Sequence, residues 1–261
     1  MNRRDFLQAG AATPLLGLSL LHAQPVHATA AVRKLFVYGG EFDSGFTRYA
    51  ASLTGKPNPK VCFLPTATGD AAGYVMRWFE TCAELPIRPY VQRSFISSYG
   101  QKDSFEKVFA SMDVILVGGG NTLNMLAIWK AQGIDVALRK AWESGIVVGG
   151  GSAGSLCWFE HGTTDSRPGE LTRVDGLGFI SGSNCPHYDS EAQRKPLYWS
   201  KIKSGEYKAG YACDDRAGIY FENEVVKQVV SLDEKSGGYF VSLAANGQIH
   251  ERVLPKVVLQ P

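Results

Sequence analysis

Short apolar runs alternate with amphipathic stretches through the first 150 positions of this chain. Four of the runs are almost continuously apolar, at residues 34–38, 61–64, 114–117 and 146–148. Strands of this composition are typical of a parallel sheet that is buried on both faces, and the stretches between them have the period of crossover helices. We therefore predict a mainly parallel sheet with helices near residues 71–84, 104–110, 122–131 and 134–144.

Each of these strands ends in glycine or small polar residues. In parallel α/β sheets, ligands bind beyond the carboxyl ends of the strands, so the four loops should meet at one edge. After about residue 215 the pattern changes to short alternating runs, which predicts C-terminal β-hairpins. Because α/β folds of this length bury a large core, and 44% of the 261 residues are hydrophobic, residues 31–261 are predicted to form a single α/β domain.

The first thirty residues have the features of a targeting segment. Arg3 and Arg4 precede an apolar run at residues 9–21, which is too short for a typical membrane span, and small residues follow at 28–30. We predict a twin-arginine-type export signal at residues 1–30, the export machinery as a partner, and a periplasmic or secreted protein without stable membrane association. An amphipathic terminal helix or an uncleaved anchor is the alternative.

Charge and cysteine content narrow the function further. The formal net charge is +2, and Lys and Arg are scattered along the chain. No basic stripe indicates a nucleic-acid or membrane partner, so a small substrate is expected. The five cysteines leave at least one unpaired and form no C-x-x-C pair, so we expect no metal site.

The strongest chemical signal is a serine between glycines at the end of the fourth apolar run. Residues 147–156 pass from an apolar strand through Ser152 into a helix-like segment, the pattern of a nucleophile elbow. Gly150 and Gly154 allow the sharp turn, and the N–H of Ala153 is left facing the serine. The pattern predicts a serine nucleophile.

The same turn also matches the dinucleotide-binding pattern G-x-G-x-x-G. Gly149, Gly151 and Gly154 supply its glycines, and Asp175 lies about twenty residues farther on. A dinucleotide fingerprint normally opens its domain, whereas here a hundred residues of strands and helices come first. A dinucleotide-binding protein therefore stays as the alternative from another functional class.

A serine nucleophile needs a base, and the chain has five histidines. His22 and His27 would leave with the signal, His161 would lie too far along a continuing helix, and His250 lies in a late polar turn. His187, in a polar loop after a proline, is the remaining candidate. The third group that orients the imidazole is left open among five aspartates, Asp165, Asp175, Asp189, Asp214 and Asp215.

A second glycine cluster opens the helix expected near residue 122. Exposed backbone N–H groups at Gly118–Gly120 could bind an oxyanion together with Ala153, although an ordinary tight turn would have the same sequence.

Three ordered motifs now resemble a known family. Residues 117–122, 151–154 and 186–188 are similar to the corresponding segments of peptidase E, also called dipeptidase E or aspartyl dipeptidase, a family of serine peptidases with cyanophycinase relatives. The resemblance spans about residues 33–245. It implies a flavodoxin-like three-layer α/β sandwich, akin to class I glutamine amidotransferases, with no metal or organic cofactor.

Carried over residue by residue, the resemblance assigns the catalytic roles. Ser152 matches the nucleophile, His187 the base, and Gly120 and Ala153 the oxyanion donors. The family places a glutamate downstream of its histidine, whereas the matching stretch here offers aspartates. Asp215 fits best.

The resemblance also implies a substrate. Short peptides with N-terminal aspartate, chiefly Asp-Xaa dipeptides, are expected to be cleaved through an acyl-enzyme, and an exported cyanophycinase-like hydrolase of β-aspartyl polymer is the alternative. Asp165 matches a family aspartate and is a candidate for a supporting or amine-binding role. Arg194 is a candidate clamp for the substrate aspartate, although its loop is also consistent with a solvated run of charges.

Overall fold

The computed structural model describes residues 31–96 and 100–260. The first half contains β1 (Lys34–Tyr38), α1 (Ser44–Ser52), β2 (Lys60–Leu64), α2 (Ala72–Cys82), β3 (Arg88–Val91), α3 (Phe105–Ala110), β4 (Val114–Val117), α4 (Thr122–Gln132), α5 (Ile134–Glu143) and β5 (Val147–Gly151). The second half contains α6 (Ala153–Leu156), β6 (Phe159–Thr164), β7 (Thr172–Asp175), β8 (Ile180–Cys185), α7 (Arg194–Lys203), β9 (Gly210–Cys213), β10 (Ala217–Glu222), β11 (Val225–Ser231), β12 (Gly238–Leu243), β13 (Ile249–Val253) and β14 (Lys256–Val258).

The export signal expected at residues 1–30 lies outside the described residues and stays a prediction. Within the part of the chain that the structure describes, no helix is long and apolar enough to cross a membrane.

The strands form two sheets. The first has eight strands in the order β14-β11-β10-β1-β5-β4-β2-β3, and its five strands from β1 to β3 in that order are parallel neighbours. They include all four apolar runs, as the sequence predicts. The helices α2, α3, α4 and α5 begin and end within two residues of the predicted bounds.

Alternate side chains of β1 show how the first sheet is covered. Leu35 and Val37 face a core that includes residues of α3, α4 and α5, whereas Phe36 and Tyr38 face a core built with α1 and α2. Helices on both faces of a buried parallel sheet make the expected three-layer sandwich. The prediction of this architecture is confirmed.

The second sheet has six strands in the order β13-β12-β9-β8-β6-β7 and is not indicated by the sequence pattern. Strands β6 and β8 are rich in Gly, Ser and Thr, and β7 and β13 contain charged residues, so these strands lack the apolar runs that reveal the first sheet. The C-terminal hairpins divide between the two sheets: β10–β11 extends the first, and β12–β13 extends the second.

His161 lies on one of these strands, and the expectation of a continuing helix after Ser152 is wrong. The helix α6 ends at Leu156, and His161 is buried on β6. Its Nε2 accepts a hydrogen bond from the backbone N–H of Lys208 at 3.1 Å, and burial lowers the pKa of this imidazole. His161 is therefore a structural residue of the second sheet.

Candidate active site

Ser152 occupies the sharp turn between β5 and α6. Its backbone angles, φ 55° and ψ −118°, fall in a region that only glycine adopts freely. A Cβ on Gly154 would overlap the carbonyl oxygen of Val117, so a larger residue could not pack the turn against β4. The turn thus holds the serine in a strained conformation, above the carboxyl edge of the parallel strands.

This strain gives a testable difference between two variants. Ser152→Gly and Ser152→Ala both remove the hydroxyl, but only glycine relieves the backbone. We expect Ser152→Gly to be more stable than Ser152→Ala by about 1 kcal/mol, because strain relief exceeds the extra entropy of unfolded glycine. Thermal denaturation should then show a Tm about 2–4 °C higher. Equal Tm values would mean that strain relief only matches the extra entropy of unfolded glycine, and a lower Tm for Ser152→Gly would mean that the turn is unstrained.

The second sheet brings His187 and Asp215 together. Strands β8 and β9 are parallel neighbours with Cys185 opposite Ala212, and each candidate residue follows its strand by two positions. Parallel strands end at the same edge of a sheet, so the two side chains share that edge. Ser155 Oγ of α6 lies 3.0 Å from Asn184 Oδ1 of β8, which joins the serine turn to this edge.

The three candidate residues form one line of hydrogen bonds. His187 Nδ1 lies 2.7 Å from Asp215 Oδ1, and His187 Nε2 lies 2.8 Å from Ser152 Oγ. The hydrogen bond with His187 holds the pKa of the Asp215 carboxyl below its usual range. Because a carboxylate only accepts, Nδ1 is the protonated nitrogen, and Nε2 is free to accept the Ser152 hydroxyl.

The neighbouring aspartate has a different environment. Asp214 is buried and accepts hydrogen bonds from the Gly237 N–H and the Tyr239 hydroxyl, and burial raises the pKa of its carboxyl. Asp215, in contrast, is held toward His187 by its own N–H, which donates to Asp189 Oδ1 at 2.9 Å. Of the five aspartates left open by the sequence, Asp215 is the one that contacts the imidazole.

The glycine loop after β4 lies next to the serine hydroxyl. A Cβ built on Gly119 would lie 3.4 Å from Ser152 Oγ, so the glycine loop after β4 runs directly beside the nucleophile. Among residues 31–96 and 100–260, the N–H groups of Gly120 and Ala153 have no hydrogen-bond acceptor. Both groups therefore have a free donor, as an oxyanion site requires, and their role stays a prediction.

Arg194 has structural partners rather than a free guanidinium. It is 2% exposed, and it donates to Glu191 Oε2 at 2.6 Å and to the Thr163 carbonyl at 2.8 Å. Asp165 lies 3.9 Å from it and has a side chain that is 65% exposed. The structure therefore argues against Arg194 as a clamp for a substrate aspartate, because its guanidinium is buried and fixes the loop after His187 to the end of β6.

Protein atoms occupy the space beside the glycines of the dinucleotide pattern. A Cβ on Gly149 would overlap the Phe36 carbonyl oxygen, and one on Gly151 would overlap the Gly40 carbonyl oxygen. These glycines allow strands and loops to approach one another, so packing in the sheet explains their spacing without a dinucleotide. No cluster of three or more His, Cys, Asp or Glu that could hold a metal ion occurs in the described ranges.

One pair of side chains beside Ser152 is not among the sequence candidates. Tyr74 Oη accepts the Gly119 N–H at 3.2 Å and donates to Glu41 Oε2 at 2.7 Å. Glu41 follows Gly39-Gly40 at the end of β1. Because ligands bind beyond the carboxyl ends of parallel strands, this position could have identified Glu41 as a candidate from the sequence.

Comparisons with known proteins agree with this geometry. A profile of peptidase family S51 matches residues 40–229. The uncharacterized peptidase YgaJ of Bacillus subtilis (strain 168) is 43% identical to this chain over 209 residues, which are 80% of this chain and 88% of YgaJ.

Two solved structures share the fold. A peptidase E protein from Listeria monocytogenes EGD-e superposes with a TM-score of 0.58 at 22% identity, over 78% of this chain and 100% of that one. A peptidase from an acI-B1 Actinobacterium superposes with a TM-score of 0.67 at 15% identity, over 86% of this chain and 95% of that one. At these identities the two structures support the flavodoxin-like fold alone. The sequence matches go further: the chain belongs to peptidase family S51, the peptidase E family, and is a serine-type peptidase.

Proposed function

We propose that this protein hydrolyses short peptides through an acyl-enzyme on Ser152. His187 Nε2 takes the hydroxyl proton as Oγ attacks the scissile carbonyl carbon, and Asp215 stabilises the imidazolium that forms. The N–H groups of Gly120 and Ala153 bind the oxyanion of the tetrahedral intermediate. The imidazolium then gives its proton to the leaving amine as the C–N bond breaks.

The second half of the reaction uses the same groups. Water enters where the amine has left, His187 takes one of its protons, and the hydroxide oxygen attacks the ester carbon. The second intermediate collapses, the C–O bond to Ser152 breaks, and the proton returns to Oγ. The other proton of the water leaves with the product carboxyl group, so Ser152 and His187 end with the protons that they had at the start.

The unbroken contact from Asp215 through His187 to Ser152 is the observation that carries this proposal. The His187 side chain is 16% exposed and that of Asp215 is 37% exposed, so both are shielded but reachable from one side. These hydrogen bonds are needed to activate the Ser152 hydroxyl as a nucleophile at neutral pH. A contact with only a structural role would not require a strained backbone at Ser152.

The family resemblance supports aspartate as one N-terminal residue of the substrate, and Asp-Xaa dipeptides are included in the proposal. A buried aspartate side chain would require a cation. The cationic side chains that follow His187 and Asp215 in the chain already have carboxylate partners. Arg194 pairs with Glu191, Lys195 with Glu251 and Arg216 with Asp233. We therefore propose that small neutral N-terminal residues are cleaved about as well as aspartate.

A substrate panel tests the proposed function. The protein without residues 1–30 is incubated with Asp-Leu, Ala-Leu, an isoaspartyl dipeptide and cyanophycin, and the released amine is measured. We expect cleavage of Asp-Leu and Ala-Leu with kcat/KM values within about tenfold of each other. A preference for Asp-Leu above a hundredfold would show that a cation is available after all. Cleavage of cyanophycin alone would favour the polymer hydrolase.

We also propose that the peptidase acts outside the cytoplasm, on the strength of the arginine pair in residues 1–30. Replacing Arg3 and Arg4 by lysine should keep the protein in the cytoplasmic fraction of its host cell. Equal export of both forms would contradict the proposal.

A further inference from the structure

Glu41 presents a carboxylate oxygen beside the serine. A Cβ built on Gly119 would lie 3.3 Å from Glu41 Oε1 and 3.4 Å from Ser152 Oγ, so these two oxygens flank the same buried glycine. Glu41 is on the loop after β1, and Ser152 is on the turn after β5. The two loops are neighbours because β1 and β5 are paired in parallel.

The two oxygens of Glu41 have different surroundings. Oε2 accepts the Tyr74 hydroxyl at 2.7 Å and lies 3.5 Å from the Arg77 guanidinium. Oε1 has no hydrogen-bond partner among the described residues, and the side chain is 47% exposed. Tyr74 is itself fixed by the Gly119 N–H. One oxygen is thus anchored, and the other has no partner and lies beside the glycine that Ser152 Oγ also flanks.

The geometry points to Glu41 as the receptor for the free α-ammonium group of the substrate, with Tyr74 as its positioning residue. This inference rests on the proposed function and assigns the residue that distinguishes a free amine from a blocked one.

The spacing fits an N-terminal residue. An acyl carbon about to be attacked lies about 3–3.5 Å from the nucleophile. The α-nitrogen of the same residue is about 2.5 Å from that carbon, because only Cα separates them. With the acyl carbon in this position, the substrate ammonium can reach the Glu41 carboxylate on the other side of Gly119. An internal peptide would place an uncharged amide against Glu41 and would bring more chain into the same space.

The charge also fits. An isolated carboxylate oxygen beside the oxyanion would oppose catalysis, because it repels the developing negative charge. A substrate ammonium between the two removes this repulsion. Glu41 therefore favours substrates that bring their own positive charge and disfavours an acidic group in the same position.

Two esters that differ only in the amine test the inference. Alanine p-nitrophenyl ester and N-acetylalanine p-nitrophenyl ester share the acyl group and the leaving group, and p-nitrophenolate release is followed at pH 6.5. We compare the wild type, Glu41→Gln, Tyr74→Phe and the control Glu143→Gln. Glu143 is an exposed carboxylate at the end of α5, before the first residue of β5, whereas Ser152 follows the last residue of that strand.

We expect Glu41→Gln to lower kcat/KM for the free-amine ester by about 10- to 100-fold, mainly through KM, and to change that for the acetylated ester by less than about threefold. Tyr74→Phe should show the same selective loss at a smaller size, and Glu143→Gln should match the wild type. Equal losses of Glu41→Gln on both esters, no loss on either, or a wild type that prefers the acetylated ester would each overturn the inference.

A fluorophosphonate separates this inference from the proposed function. The reagent has no amine, and Ser152 Oγ displaces its fluoride to form a stable phosphonyl ester. We expect both the wild type and Glu41→Gln to be labelled at Ser152, with rates within about threefold of each other, as for the acetylated ester. If the wild type is not labelled there, the acyl-enzyme proposal fails and the inference fails with it. If labelling is equal but the ester selectivity is unchanged in Glu41→Gln, only the role of Glu41 is lost.

Discussion

Replacement of Ser152 by alanine is expected to lower kcat for peptide hydrolysis by about 10⁵- to 10⁶-fold, the largest effect of any single substitution in this chain. The hydroxyl is the only group that forms the covalent bond, and the free N–H groups of Gly120 and Ala153 alone leave a small residual rate. The measurement is the release of amine from a dipeptide that the wild type cleaves, with the concentration of folded protein fixed by circular dichroism.

The control for this variant removes a hydroxyl elsewhere. Ser52 is an exposed residue at the end of α1, where its Oγ donates to the Tyr49 carbonyl. Ser52→Ala should retain full activity. If Ser152→Ala kept more than about 1% of the wild-type kcat, another residue would be the nucleophile, and the strained turn would need another explanation.

Replacement of Asp215 by asparagine should lower kcat by about 10³- to 10⁴-fold. An amide nitrogen facing Nδ1 favours the wrong tautomer, in which Nε2 carries the proton and no longer accepts the Ser152 hydroxyl. The charge that stabilises the imidazolium is lost as well. A plot of kcat/KM against pH, compared with that of the wild type, measures both effects.

The adjacent aspartate provides the matched comparison. Asp214→Asn keeps an oxygen that can accept the Gly237 N–H and the Tyr239 hydroxyl, so we expect its kcat to remain within about threefold of the wild type. The two variants differ by one position in the chain and remove the same charge. A larger loss in Asp214→Asn than in Asp215→Asn would exchange the roles of the two carboxylates.

The pH dependence of stability separates these two residues in the same way. The pKa of Asp215 is lowered in the folded state, so its contribution is present above the unfolded pKa of about 3.9 and is lost as the pH falls through the lower folded value. The pKa of Asp214 is raised, so its contribution is present below about 3.9 and is lost as the pH rises through the higher folded value.

The first sheet and its helices could be predicted from the sequence because burial leaves a clear pattern. A strand that is covered on both faces must be apolar throughout, and β2 and β4 are examples. The second sheet leaves no such pattern. Gly162 and Gly210 lie where neighbouring backbones approach closely, and buried polar residues such as Thr163 form hydrogen bonds within the fold. The sequence of the second sheet therefore has the composition that is typical of loops.

The positions of Ser152 and His187 could be proposed from the sequence because a strained turn needs particular neighbours and because few histidines were available. The choice of Asp215 over Asp214 depended on the family resemblance, since both carboxylates occur in the same short turn. Which of them faces the imidazole is decided by the direction in which β9 ends, and that direction is a property of the folded sheet.

Arg194 shows the opposite case. A charged residue in a loop after the base suggested a substrate contact, but the loop continues into α7 and buries the guanidinium against Glu191 and the Thr163 carbonyl. The sequence shows that a side chain is charged, but it does not show which residues accept its hydrogen bonds in the fold. Glu41 was missed for the complementary reason, because its neighbours Tyr74 and Gly119 are distant in the chain.

The central claim is that an acyl group passes through the Ser152 hydroxyl. The most direct measurement is rapid acid quenching of the wild type with alanine p-nitrophenyl ester, followed by peptide mass spectrometry. We expect one alanyl group on the peptide that contains Ser152, with an amount that rises and then decays as the ester is consumed. Turnover of the ester with no adduct at any time, or with the adduct on another residue, would contradict the account.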